Sequence, residues 1–185
     1  EYLRGRVEQG IEGARLDLVA FLARHVSREA AMAEIDRILA QTDESPAQFR
    51  AIRAGLEFDA GKRDAAIVEM EDILETAGPS EETDRIKVAL ARMLSVTGNA
   101  VGARARIEEV LEHDPTHVEA LKMKAEWLIA DDRPGDALVE LRTALDQAPK
   151  DAQTLTLMAR AHERAGDSDL MGEMLALAVE ASGSA

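Results

Sequence analysis

The chain has 185 residues, about one domain's worth, and 46% of them are hydrophobic, enough to bury a core. Aromatics make up only 3% and there are five prolines, so good helix formers fill the chain and the aromatic and β-branched runs of a sheet protein are missing. A formal net charge of −14 repels phosphate backbones and disfavours nucleic acid, and the absence of cysteine excludes disulfides, thiol catalysis and cysteine-ligated metal. No polybasic patch suits an anionic membrane, and no apolar run approaches the roughly 18 residues needed to cross one, so direct membrane insertion is not expected. The chain begins at Glu1 and not at a methionine, as a fragment or a processed chain would.

Taken in order, residues 1–11 read as the tail of a preceding helix or as a linker. A first, divergent unit follows over about 12–46. Gly13 to His25 reads as one helix, with Leu16, Val19, Phe21 and Leu22 apolar, and Arg28 to Gln41 as its partner, with Ala31, Ile35, Ile38 and Leu39 apolar. Pro46 closes the unit.

Four better-matched copies come next, over about 47–83, 84–117, 118–151 and 152–185. The stretches from Lys87, Leu121 and Leu155 align at an offset of 34, and the one from Arg50 at an offset of 37, with three extra residues around Ser80 to Glu82. A small residue recurs at Ala54, Ala91, Ala125 and Ala159, where it lets two helices approach closely. A turn residue follows at Gly61, Gly98, Asp132 and Gly166, where a left-handed conformation ends the first helix of a hairpin. A second small position holds Ala66, Ala103 and Ala137, with Met171 in the last copy. Gly78-Pro79, Pro115, Pro149 and Gly183 end the units. Each hairpin exposes an apolar flank and must stack on its neighbours to bury it.

From the period of 34, the Gly-Asn, Gly-Lys-Arg-Asp and Gly-Asp turns and the closing Asp-Pro, residues 12–185 resemble the tetratricopeptide repeat family. The family's large aromatic near the hairpin start is replaced by Arg50, Lys87, Leu121 and Leu155. Its later first-helix aromatic is replaced by Glu57, Leu94, Leu128 and His162. The resemblance implies an all-α, right-handed superhelical solenoid of about five stacked antiparallel hairpins, forming a single array. The richness in alanine and arginine fits a bacterial source.

The resemblance further implies a protein-interaction scaffold whose first helices line a concave groove for a peptide or protein partner. Gln48, Ala51, Gly55, Phe58 and Asp59 are expected there from one copy, and Arg85, Val88, Arg92 and Ser95 from the next. Glu119, Lys122, Glu126 and Ile129 follow, then Gln153, Thr156, Arg160, Glu163 and Arg164. This strip has five basic and four acidic residues in a chain of net charge −14, a contrast that favours carboxylate-bearing ligands. An acidic or C-terminal segment is expected on Arg85, Arg92, Lys122 and Arg160, with Phe58, Val88 and Ile129 as apolar contacts. The family's chaperone-tail clamp is not expected, because its places hold Ala51, Gly55, Ala89, Glu119 and Met123.

Catalysis, a metal and a cofactor are not expected. His113 and His117 are four apart, but Asp114-Pro115 between them makes a turn. Gly61-Lys62 lacks the serine or threonine and the glycine spacing of a phosphate loop. His162 and Trp127 read as packed side chains. The pattern stops in mid-unit after the apolar Met171, Met174, Leu175 and Leu177. Further repeats, or homo-association through this open C-terminal end, are therefore expected. An oligomerisation module within a larger assembly is the alternative to a peptide receptor.

Overall fold

A computed structural model describes residues 2–11, 13–41 and 46–183, among which eleven α-helices are found. The expected start of the array at residue 12, the segment 42–45 and the last two residues lie outside that description. The chain divides between Met93 and Leu94 into two compact units.

The first unit holds α1 (Tyr2–Glu8), α2 (Ala14–His25), α3 (Arg28–Gln41), α4 (Pro46–Asp59), α5 (Arg63–Thr76) and most of α6 (Glu81–Val96). α2 pairs with α3 and α4 with α5. Their core is built from Val19, Ala31, Ile35, Ile38 and Phe49, with Leu16, Leu22 and Ile52 packed on it. The fully buried Ala31, Ala54 and Ala66 permit the close helix approach that larger side chains would prevent. Arg50, which stands in the place of an aromatic, reaches from α4 to Glu69 of α5 at 2.7 Å and ties the hairpin with a charge pair. That guanidinium hydrogen bond outweighs the opposing effect of burial and holds the Glu69 carboxyl below the usual range.

The three extra residues around Ser80 lengthen α6 at its start. Thr83 Oγ1 accepts from the Ser80 amide at 2.8 Å and Ser80 Oγ from the Thr83 amide at 3.2 Å. This reciprocal cap satisfies two donors that a helix start otherwise leaves open.

The second unit holds the end of α6, then α7 (Ala100–His113), α8 (Val118–Ala130), α9 (Pro134–Gln147), α10 (Ala152–Ala165) and α11 (Ser168–Gly183). α8 pairs with α9, α10 with α11, and α10 also packs on both α8 and α9. Ala125, Leu128, Ala137, Leu141, Leu157 and Met158 form the centre of this core.

Every expected turn closes in the same way. Gly61, Gly98 and Gly166 have φ of 92°, 85° and 83°, and Asp132 takes the same left-handed place at 59°. Each is followed by an amide that reaches back five residues: Lys62 to Glu57, Asn99 to Leu94, Arg133 to Leu128 and Asp167 to His162. These bonds satisfy the last open carbonyls of α4, α6, α8 and α10. His117, one of the two turn-flanking histidines, caps α8 through Nδ1, which accepts from the Ala120 amide. No helix among the described residues is long and apolar enough to cross a membrane.

Candidate functional site

Within the first unit, α4 and α6 leave an open slot of about 280 Å³ between them. Its floor is Ile52, Met70, Ile86 and Met93, and small residues at Ala51, Gly55 and Ala89 keep it wide. Where a Cβ at Gly55 would stand, no atom lies within 4 Å apart from its chain neighbours and the nearby backbone of its own helix, so the missing side chain is part of the opening. Gln48, Glu82 and Arg85 give the slot a polar rim. Arg85 is mostly exposed and only loosely engaged, with Nη2 at 3.4 Å from Glu81 on its own helix. Arg85, Ala89 and Arg92 follow one another at helical spacing, which puts both arginines on one stripe of α6, and both are exposed.

Of the expected groove residues, Gln48, Ala51, Gly55 and Arg85 meet at this slot. Phe58 does not reach it. It is buried in the last turn of α4, with the Arg63 guanidinium 5.6 Å from its ring centre. Val88 is also buried, because α6 packs more than one side, with Ile86, Leu90 and Ala91 all covered. Neither Phe58 nor Val88 lines the slot, so these two expected apolar contacts are corrected to core residues; the slot is lined instead by Ile52, Ile86 and Met93, of which Ile86 and Met93 are themselves nearly covered and form its floor.

In the second unit α8 is covered on several sides, and this explains two further corrections. Ile129 is buried in the shared core of α8, α9 and α10. Lys122 is only 4% exposed. Its ammonium donates to Asp151 at 3.2 Å and to Gln153 at 3.0 Å, and it pairs with Glu119. Lys122 thus pins the start of α10 to α8. Asp151 also caps α10 by accepting from the Thr154 amide and hydroxyl. Burial raises its carboxyl pKa, but the Thr154 and Lys122 donors together prevail and hold it below the usual value. Glu126, Arg160 and Arg164 are exposed, with Arg164 at 3.2 Å from Asp132 of the neighbouring turn.

His162 is buried, as expected, with Nδ1 at 3.7 Å from Asp167. Trp127 is only half-buried, which corrects the expectation of core packing. Arg104 of α7 lies 5.7 Å from its ring centre and pairs with Asp131 at 2.8 Å. Among the described residues, no group of three or more histidines and carboxylates is placed to hold a metal ion.

No family model and no curated protein matches the sequence. Solved structures do match its fold. A tetratricopeptide repeat protein from Parabacteroides merdae superposes with a TM-score of 0.67 at 13% identity, over 90% of this chain and 64% of that one. A segment of MamA from Desulfovibrio magneticus gives 0.65 at 14% identity, over 92% and 94%. YrrB, described as a tetratricopeptide repeat protein with an unusual peptide-binding site, gives 0.59 at 17% identity, over 98% and 92%. The chain therefore has the tetratricopeptide-type fold, all-α and built of helical hairpins.

Proposed function

We propose that the protein is a non-enzymatic interaction scaffold and that the α4–α6 slot holds an apolar side chain of a peptide segment. The observation that carries this reading is the slot itself, an apolar opening kept wide by Gly55, Ala51 and Ala89 and edged by Arg85. Glycine inside a helix costs about 1 kcal/mol relative to alanine, so its place in the lining of the slot fits a surface shaped for a ligand. Arg85 on the rim favours an acidic residue beside that side chain, since a guanidinium pairs a carboxylate through two parallel hydrogen bonds. Lys122 takes no part, being held by protein carboxylates. That YrrB is described as having a peptide-binding site supports the class of partner.

The test is selection from a displayed random-peptide library against the whole chain. Peptides with a bulky apolar residue next to Asp or Glu are expected. Gly55→Leu fills the slot with a better helix former and is expected to abolish capture while leaving thermal stability equal or higher. Equal capture by Gly55→Leu contradicts the slot. Equal capture by Arg85→Glu contradicts the acidic preference alone.

Homo-association is a second reading, favoured by α11. Leu175 and Val179 are 43% and 71% exposed, whereas their counterparts in α9, Leu141 and Leu145, are covered by packing. A second copy seated on this flank would be seen as a dimer in sedimentation equilibrium and lost in Leu175→Gln/Val179→Gln.

A further inference from the structure

The opposite flank of α11 carries a separate signal. Leu170, Met174, Leu177 and Ala181 follow at steps of four, three and four, one continuous stripe along a helix. Met174 leans on the core of α8 to α10, while Leu170 and Leu177 are 42% and 41% exposed. The other hairpins do not keep leucine at these places. The matching residues are Asp136 and Thr143 in α9, Gly102 and Glu109 in α7, and Ala65 and Asp72 in α5. Stacking of hairpins therefore does not require apolar side chains on this flank.

The charge beside the stripe has one sign. Glu173 and Glu180 stand seven residues apart, each three residues after one of the leucines. From residue 165 to residue 183 there are four acids, Asp167, Asp169, Glu173 and Glu180, and no lysine or arginine. An apolar stripe bordered by a row of glutamates is one half of a two-helix seam whose other half is basic. An antiparallel second copy of α11 would set Glu173 against Glu180 and repel.

We infer that the Leu170–Leu177 flank of α11 docks a single amphipathic helix of a partner protein, with an apolar stripe bordered by lysines or arginines. The surface differs from the α4–α6 slot in place and in charge preference, so the two stand or fall separately.

The test uses the whole chain and two labelled synthetic helical peptides, read by fluorescence anisotropy. Both have leucines along one stripe. One is bordered by lysines and the other by glutamates. The lysine peptide is expected to bind and the glutamate peptide not. Leu170→Gln/Leu177→Gln is expected to weaken binding by about tenfold or more, since two partly exposed leucines lose their apolar burial in the complex. Glu173→Lys/Glu180→Lys, two exposed substitutions that leave the packed side of α11 intact, is expected to reverse the preference. Unchanged binding in the leucine variant would show attraction by net charge alone and overturn the inference. So would loss of binding only in Leu175→Gln/Val179→Gln, or a dimer that Leu170→Gln/Leu177→Gln dissolves.

Discussion

Asp132 is the only non-glycine with positive φ among the described residues, at a turn where three sister hairpins have glycine. An L-residue there carries about 1 kcal/mol of strain that glycine does not. Its ion pair with Arg164 is exposed and offsets little of this. Asp132→Gly is expected to raise stability by about 0.5–1 kcal/mol in urea unfolding; a loss would mean that the pair matters more than the strain. Ala103 poses the opposite case. It is fully buried at a position that is alanine in three successive hairpins. Ala103→Leu forces side chains into a packed space and is expected to cost about 1–3 kcal/mol by the same measurement. Both roles were legible in the sequence, because a small or turn residue recurring at a fixed offset has a purely local cause.

The helix ends were only partly legible. Glycine turns could be read from residue type, but the caps at His117 and Ser80 depend on how short polar side chains rotate onto nearby amides. The role of Lys122 is hidden from the sequence for a related reason. Its partners Asp151 and Gln153 lie on another hairpin, 29 and 31 residues away, and helical spacing within α8 does not reveal them. Asp151→Ala removes the cap of α10 and leaves a buried ammonium short of a partner. A loss of about 2–4 kcal/mol is expected from the two effects together. The folded Asp151 carboxyl lies below its ordinary value of 3.8. Its contribution is therefore present above that pH and is lost as the pH falls below it, through the folded value. Acid unfolding of the wild type should show this loss and Asp151→Ala should lack it. Parallel acid profiles for the two proteins would contradict the assignment.

At the scale of the whole molecule, the excess of acids works against compactness. With a net charge of −14, self-repulsion extends over a Debye length of about 30 Å in 0.01 M salt and about 8 Å in 0.15 M. Thermal stability is expected to rise over that range, and a fall would mean that surface ion pairs outweigh the repulsion. The hairpin architecture was legible from the 34-residue period. The site was less so, because the slot is made by what Gly55, Ala51 and Ala89 lack and by Ile52, Ile86 and Met93 beneath them. A list of first-helix positions contains the rim but cannot tell which apolar neighbours, such as Phe58 and Val88, turn inward. The central claim is that a peptide binds on the α4–α6 slot, and amide chemical-shift mapping of the labelled chain with a library-selected peptide tests it most directly. Shifts concentrated at Ala51, Gly55, Arg85 and Ala89 that vanish in Gly55→Leu are expected. Shifts confined to other residues, or undiminished in that variant, would contradict it.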